Sequence, residues 1–293
     1  MLDMTSEHHL QQEVLTEADF RKIGYQCVDI AVQHLYAARS RPPYRPMPPN
    51  VQHVLTDALL PSRGVSAETL LGVFQHYILP YSTFGYGHPS SFGWVGGGVE
   101  PLAVLADFLA AIMNPNCIGG DQSATLIELT TLRWLQDLLG FSGSGLFTSG
   151  GSQATAHCLA VARQHSFSQT RSDGLYTHAP LILYASDQVH QSVTVAMEYL
   201  GMGNKHIKIV PSTPTYQIDV DRLGSMIIED RENGLVPFCV VANVGTTNTG
   251  AIDPLAVLAE LCEKEHLWLH LDGAYGALGK LDATVQHQYG GFD

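Results

Sequence analysis

Apolar runs and amphipathic segments alternate along the chain from about residue 99 to its last residue. Each apolar run is short and bounded by glycine, proline or small polar residues, as in a strand, and the segments between the runs repeat apolar residues at helical spacing. Strands that alternate with helices in this way predict an α/β fold, a mostly parallel sheet with helices on both faces. The predicted strands are GLFTS (145–149), LILYAS (181–186), KIVPS (208–212), FCVVANVG (238–245) and LWLHL (267–271).

The first third of the chain has a different pattern. Thr16 and Asp19 predict the start of a long helix, and a second helix is expected over about 66–78. The proline-rich stretch between them (40–50) indicates an extended connector. We therefore expect an N-terminal helical segment with a loop over residues 1–95, followed by an α/β domain over residues 96–293.

Composition narrows the possible partners and location. The 293 residues carry a formal net charge of −13 with no basic cluster, which argues against nucleic acid and anionic membranes as partners. The N-terminus lacks the pattern of a signal peptide, and the longest apolar stretch is too short to span a bilayer. The five cysteines contain no CxxC pair and are expected to be free buried thiols. The expected location is cytoplasmic, and no metal site is predicted.

Two predicted strands are followed by residues that could bind a ligand or take part in catalysis. Gly150, Gly151 and Ser152 connect the first strand to a helix, a geometry that suits a phosphate group. A plain tight turn is an equally good interpretation of this stretch alone. His190 lies near the start of the helix after the second strand, where a surface or capping role is the commoner one.

Two later strands end in similar polar residues. Thr246 lies in the small hydroxyl-rich stretch NVGTTNTG (243–250), and Asp272 directly follows LWLHL. A helix cap is the alternative role for Asp272. Because ligands of parallel sheets bind beyond the carboxyl ends of the strands, these groups should converge at one edge. A phosphate site, an imidazole, hydroxyls and a buried carboxylate fit pyridoxal 5'-phosphate, whose ring nitrogen stays protonated when a carboxylate pairs with it.

Several ordered motifs resemble those of the group II pyridoxal-phosphate-dependent decarboxylases, which include aromatic-L-amino-acid, histidine and glutamate decarboxylases. The resemblance extends from about residue 15 to the last residue and is strong because the motifs occur in the family's order. The motifs are FRKIGYQCVDIAVQHL (20–35), GYGHPSSFGWV (85–95), TSGGSQAT (148–155), SDQVHQSV (186–193), VGTTNTGAIDPL (244–255) and WLHLDGAYG (268–276).

The resemblance implies a fold type I architecture, similar to aspartate aminotransferase, in a homodimer whose N-terminal helices wrap the partner subunit. It implies α-decarboxylation of an L-amino acid, with an aromatic one favoured, to an amine and carbon dioxide. The implied roles are phosphate binding by Gly150, Gly151 and Ser152, ring stacking and proton transfer by His190, contact with the cofactor hydroxyl by Thr246, pairing with the ring nitrogen by Asp272, packing on the ring by Ala274, and substrate binding by His88 and Phe92.

The sequence departs from the family pattern in two places. The family's Schiff-base lysine follows a histidine well downstream of the aspartate, and this sequence stops at Asp293 before any such pair. Lys280 lies nearest but does not fit the family's position. We therefore interpret the chain as a C-terminally truncated form that lacks the small domain and is inactive alone. The second departure follows the His-Pro pair, where animal aromatic decarboxylases have bulkier residues than Ser90, Ser91 and Gly93. The identity of the substrate side chain therefore stays open.

Three functions thus remain possible from the sequence. The leading hypothesis is an amino-acid decarboxylase. The first alternative is another fold type I enzyme, either an aminotransferase or an aldehyde synthase. The second is a non-catalytic fragment that only dimerises.

Overall fold

The structure, a computed structural model, describes residues 15–82, 87–93, 95–175 and 179–292. It divides into two compact units, Met1–Asn114 and Pro115–Asp293, and each is described by itself. Helix Pro101–Met113 belongs to the first unit, although the sequence places it in the second. The domain boundary expected between residues 95 and 96 stays a prediction.

The helices and strands are these. The helices are α1 (Glu17–Tyr36), α2 (Pro49–Thr56), α3 (Ala67–Val73), α4 (Pro101–Met113), α5 (Ser123–Leu139), α6 (Gly151–Ser166), α7 (Thr170–Asp173), α8 (Ser192–Tyr199), α9 (Val220–Glu232) and α10 (Leu255–Lys264). The strands are β1 (Leu181–Ser186), β2 (Ile207–Val210), β3 (Val236–Asn243) and β4 (Trp268–Asp272). A π-helical turn spans Phe74–Ile78, and 3₁₀ turns span Ala38–Ser40, Leu79–Tyr81, Cys117–Gly119, Asn204–His206, Ala277–Leu281 and Gln286–Tyr289.

The first unit confirms the predicted helix starts. The Thr16 side chain accepts the backbone N–H of Asp19 at 3.1 Å, as expected for the cap of α1. Ser66 caps α3 in the same way, and the π-helical turn continues this helix to Ile78. An ion pair of 2.8 Å between Lys22 and Glu68 joins α1 to α3.

The second unit contains a parallel sheet with the strand order β2-β1-β3-β4. All six residues of β1 are buried, as expected for a central strand covered on both sides. Alternate residues face two separate cores. One core contains Tyr184 and Val240 under α9 and α10, and the other contains Leu183 and Val241 under α6 and α8. The predicted parallel sheet with helices on both faces is confirmed.

Helix α6 runs across one face of this sheet from the carboxyl ends of the strands to their amino ends. In its last turn, the ring of His165 lies 5.5 Å from that of Trp268 at the start of β4. In its first turn, the Thr155 hydroxyl lies 3.4 Å from that of Ser192, which follows β1. The N-terminus of α6 therefore lies at the carboxyl edge of the sheet, where the sequence places the phosphate turn.

The predicted strand GLFTS (145–149) is wrong. The stretch lacks the ladder hydrogen bonds of a strand, and within the described residues no strand pairs with it. The side chains of Leu146 and Phe147 are 57% and 52% exposed. A strand requires a partner for its backbone groups, and apolar β-forming residues cannot supply that partner locally.

Asp253 followed by Pro254 is a sequence that predicts the N-cap and first residue of a helix. Asp253 does not cap α10, because its carboxylate has different partners. Its carboxylate accepts the backbone N–H of Ile218 at 2.7 Å and that of Asn243 at 2.6 Å. The Asn243 side-chain amide donates to the same carboxylate at 3.2 Å. Burial raises the pKa of Asp253 above its usual range, although these hydrogen bonds oppose the rise. Asp253 thus joins the end of β3 to the segment before α9.

Two smaller expectations have mixed outcomes. All five cysteines are free, but Cys27, Cys117 and Cys158 are exposed, and only Cys239 and Cys262 are buried as expected. A buried thiol is hard to ionise, and burial raises the pKa of Cys262 to about 12. Among the described residues, no helix combines the length and the apolar character needed to cross a membrane.

Removal of the Asp253 carboxylate should destabilise the second unit strongly. For Asp253→Ala we expect a loss of about 3 kcal/mol in the free energy of unfolding, since two buried N–H groups lose their acceptor. Asp219→Ala is the control, because that carboxylate accepts only one N–H, at the start of α9, and its loss costs about 1 kcal/mol. Urea unfolding of both variants measures the difference. Equal losses would show that Asp253 has no special structural role.

Candidate functional site

Polar residues of three strands meet at the carboxyl edge of the sheet. The strand order reverses between β1 and β3, which is the position where parallel sheets bind ligands. There the Asn243 amide donates to the Ser186 hydroxyl at 3.1 Å, and Asn243 lies beside Asp272 in the strand register. The ends of β1, β3 and β4 therefore form a connected polar surface.

The predicted phosphate turn forms the start of α6. Gly150 is the N-cap, and its carbonyl accepts the Thr148 hydroxyl at 3.0 Å. The backbone N–H groups of Gly151 and Ser152 lie in the first turn, where a helix offers no internal acceptor. No heavy atom lies within 4 Å of a Cβ built on Gly150 or Gly151, so the turn is open to a ligand. The helix dipole favours an anion there.

His190 lies after β1, close to the first turn of α8, and is exposed. Its Nδ1 atom lies 2.9 Å from the Ser192 hydroxyl and accepts the Ser192 backbone N–H at 3.2 Å. The imidazole is therefore held through its Nδ1 atom, and His190 as a whole is exposed. Through Ser192 and Thr155 it is connected to the first turn of α6.

Thr246 is buried in the loop after β3. Its hydroxyl lies 2.6 Å from that of Thr249 and accepts the backbone N–H of Ala251 at 3.2 Å. These bonds hold the loop closed. Thr246 lies three residues after Asn243, which is the neighbour of Asp272 in the strand register. Its predicted contact with a cofactor stays a prediction.

Asp272 ends β4 and is half-buried, so it is less buried than the carboxylate that the sequence predicts. Its Oδ1 atom accepts the backbone N–H of Ala274 at 3.2 Å, which resembles the capping alternative and leaves carboxylate capacity for a ligand. His270 lies two residues earlier on the same strand face and is buried. Burial lowers the pKa of His270, although the Asp272 charge opposes this shift.

The loop that follows Asp272 packs tightly against the loop that follows β3. A Cβ on Gly276 would collide with the carbonyl group of Val244. Gly245 has φ +92°, and a Cβ there would lie 3.1 Å from the Tyr275 ring and 3.3 Å from the Cα atom of Gly276. The Tyr289 hydroxyl donates to the Gly276 carbonyl at 2.6 Å. This contact fixes Asp272 and Ala274 relative to the Thr246 loop.

The predicted substrate residues lie in the first unit. His88 Nδ1 accepts the backbone N–H of Ser90 at 3.0 Å, and its Nε2 atom lies 3.0 Å from the carbonyl of Arg41. Both ring nitrogens of His88 are therefore engaged within that unit. The Phe92 side chain is 94% exposed. Substrate binding by these two residues stays a prediction.

Lys280 has a structural partner. Its ammonium group donates to the carbonyl of Leu139 at the end of α5 and lies 5.1 Å from the ring centre of Phe292. A cation is favourable at a helix C-terminus. Within the described ranges, no group of three or more His, Cys, Asp or Glu residues is arranged to hold a metal ion.

Sequence reasoning missed four residues that support the site: Thr155, Ser192, Asn243 and Asp253. All four are buried, and each bonds to a residue distant in sequence or to another member of the group. Their residue types are common in turns and helix starts, so their spacing carries no signal. The only available clue is a polar residue within an otherwise apolar predicted strand, as at Asn243.

Comparison with known proteins identifies the family. The model of the pyridoxal-dependent decarboxylase conserved domain matches residues 49–283, which is most of the chain. The chain belongs to the pyridoxal-dependent decarboxylase family. The resemblance inferred from the motifs is thereby confirmed, and the cofactor of this family is pyridoxal phosphate.

Individual members of the pyridoxal-dependent decarboxylase family agree with this assignment. The chain is 37% identical to aromatic-L-amino-acid decarboxylase of Bacillus atrophaeus over 90% of its length. It is 30% identical to human cysteine sulfinic acid decarboxylase over 94% of its length. It covers 54% and 56% of these two proteins, and thus spans about half the length of the curated relatives it matches.

Solved structures of the family support the fold. The crystal structure of mouse CSAD in apo form superimposes with a TM-score of 0.87 at 28% identity, over 94% of this chain and 59% of that one. This similarity confirms the predicted fold type I architecture with N-terminal helices.

The residues at the carboxyl edge fit the family's cofactor. An open helix N-terminus at Gly150 suits a phosphate, and the exposed ring of His190 offers a flat surface. Asp272 is half-buried with acceptor capacity to spare, as a protonated ring nitrogen requires. These groups lie on elements whose relative positions are fixed by the bonds described above.

The close packing of Gly276 gives a sharp test of the site's framework. We expect Gly276→Ala to lose about 1–3 kcal/mol in the free energy of unfolding, as for other overpacked positions. It should also weaken pyridoxal phosphate binding, because the Asp272 loop must move away from Val244. Both effects can be measured by thermal unfolding and by titration with the cofactor.

Gly224→Ala provides the matched control. Gly224 lies within α9, and a Cβ there would meet no atom within 4 Å. Alanine is the better helix former by about 1 kcal/mol, so this variant should gain stability and keep cofactor affinity. A Gly276→Ala protein as stable as Gly224→Ala would contradict the proposed packing.

Proposed function

We propose that the protein is a pyridoxal-phosphate-dependent carboxy-lyase that removes the α-carboxyl group of an L-amino acid, with an aromatic amino acid preferred, to give an amine and carbon dioxide. The observation that carries this proposal is the convergence of the Gly150 turn, His190 and Asp272 at the switch point of the sheet. Family membership supplies the reaction class.

The cofactor would be held at its two ends. The backbone N–H groups of Gly151 and Ser152, with Gly150 as the N-cap, would bind the phosphate. Asp272 would accept a hydrogen bond from the ring nitrogen and keep a proton there, since a neighbouring carboxylate favours the cationic form. Ala274 follows within the same turn and would pack against the ring, and Thr246 would lie near the ring hydroxyl.

When bound, pyridoxal phosphate supplies an electron sink for the electron pair that carbon dioxide leaves on the α-carbon. Asp272 contributes by stabilising the positive ring nitrogen, an electrostatic effect that is strongest where water is excluded. His190 would stack on the ring and deliver a proton to the α-carbon after carbon dioxide has left. His88 and Phe92 would contact the substrate side chain.

The preference for an aromatic amino acid rests on two observations. The Bacillus atrophaeus relative, at 37% identity, is an aromatic-L-amino-acid decarboxylase, whereas the human relative, at 30%, acts on cysteine sulfinic acid. Phe92 also presents an exposed aromatic ring in the His88 loop. We further propose a cytoplasmic homodimer, in keeping with the many exposed apolar side chains of α4 and α5.

The first test identifies substrate and reaction together. The full-length protein with pyridoxal phosphate is incubated with L-tryptophan, L-tyrosine, L-phenylalanine, L-histidine, L-glutamate and cysteine sulfinate in parallel. We expect carbon dioxide and the amine in equal amounts, with the aromatic substrates fastest. Aldehyde with ammonia would indicate the aldehyde synthase alternative, and a keto acid would indicate an aminotransferase. No turnover with any substrate would favour the non-catalytic alternative.

The second test addresses Asp272 with a matched control. Asp272 and Asp282 each accept the backbone N–H of the residue two positions later, at 3.2 and 2.9 Å. Asp272→Asn should lower kcat by about 100- to 1,000-fold, the range for loss of one electrostatic stabiliser. Asp282→Asn should keep the wild-type rate. If both variants turn over at the wild-type rate, Asp272 is not the partner of the ring nitrogen.

A further inference from the structure

Ser192 contacts His190 through two of its own groups. The backbone N–H of Ser192 donates to His190 Nδ1 at 3.2 Å, and the Ser192 hydroxyl lies 2.9 Å from the same atom. Ser192 is only 4% exposed, whereas His190 is exposed. A buried polar residue thus contacts one side of a ring whose other side remains open.

The protons in this contact can be assigned from the partners. A backbone N–H can only donate, so the Nδ1 atom that receives it must be unprotonated, and the neutral ring then carries its proton on Nε2. The Thr155 hydroxyl donates its single proton to the Gly151 carbonyl at 3.0 Å. Because an unprotonated Nδ1 atom cannot donate, the Ser192 hydroxyl 2.9 Å away is the donor in that contact, and its separation of 3.4 Å from the Thr155 hydroxyl is the longer one.

The contact between His190 and Ser192 continues to Thr155 in α6. Thr155 is 5% exposed and lies in the first turn of α6, bonded to the carbonyl of Gly151. The order of contacts is therefore His190, Ser192, Thr155 and then the turn proposed to bind the phosphate. A shift of that turn would be transmitted to the imidazole through two buried hydroxyl groups.

We propose that Ser192 is a positioning residue that holds the His190 imidazole in its Nε2–H form and, through Thr155, in a fixed place relative to the Gly151 turn. The Nε2 proton then lies on the side of the ring away from Ser192, where it would be available for donation. This inference rests on the proposed function of His190, but the state of the ring can be measured without it.

The first measurement uses the protein without cofactor. Long-range ¹H–¹⁵N spectra of the ¹⁵N-histidine-labelled protein report which ring nitrogen carries the proton, and His190→Asn assigns the signal. We expect an Nε2–H ring in the wild type and in Ser192→Thr, which keeps the hydroxyl. Ser192→Ala keeps the backbone N–H but loses the hydroxyl, one of the two groups that favour an unprotonated Nδ1, so we expect a smaller excess of the Nε2–H form. An Nδ1–H ring in the wild type would overturn the proposal.

The second measurement separates positioning from stability. Ser192→Ala should lower kcat by about 10- to 100-fold, as for outer partners that orient a histidine elsewhere, with KM within about two-fold, and Ser192→Thr should restore most of the rate. Ser225→Ala removes another helix hydroxyl, bonded only to Asp221 in α9, and should leave kcat unchanged.

The outcomes separate the two proposals. An inactive wild type with an Nε2–H ring would contradict the proposed function but keep the role of Ser192 in fixing the ring. An active Ser192→Ala protein with unchanged kcat and an unchanged ring would limit Ser192 to packing and refute the inference. Thermal unfolding of each variant shows whether any loss of rate comes from loss of fold.

Discussion

The buried carboxylate of Asp253 holds together the loops that form the carboxyl edge of the sheet. It accepts N–H groups from Asn243 at the end of β3 and from Ile218 before α9. The Asn243 amide in turn bonds to Ser186 at the end of β1. A buried charge is costly unless several donors satisfy it, so these three segments have few other arrangements. The positions of the polar strand ends follow from this constraint.

The chemistry at this edge depends on groups held by different means. The glycine turn at Gly150 is placed by α6, which crosses the sheet from Thr155 to His165. Asp272 is placed by its strand register beside Asn243 and by the close contact of Gly276 with the Val244 carbonyl. Strand register and backbone packing tolerate little displacement. The Gly150 turn and Asp272, which we propose bind the phosphate and the ring nitrogen, can therefore keep a fixed separation, as a rigid cofactor requires.

The hydrophobic pattern was sufficient to predict the parallel sheet, because buried central strands such as β1 are almost entirely apolar. It failed at GLFTS, because pairing depends on a partner that local sequence does not specify. The Asp253-Pro254 pair is typical of a helix start, but Asp253 does not cap the helix that follows it. The deciding partner there, Ile218, lies 35 residues away. The contact between Ser192 and Thr155 joins residues 37 positions apart and could not be predicted from local sequence either. Motif resemblance indicated the residues that we propose to contact the cofactor, but not the buried residues that place them.

The central claim is that Asp272 keeps a proton on the ring nitrogen of pyridoxal phosphate. The most direct measurement is the ¹⁵N chemical shift of that nitrogen in the full-length protein loaded with ring-¹⁵N-labelled cofactor. We expect the shift of a protonated pyridinium in the wild type and that of an unprotonated pyridine in Asp272→Asn. An unprotonated nitrogen in the wild type, or the same protonated shift in both proteins, would contradict the claim.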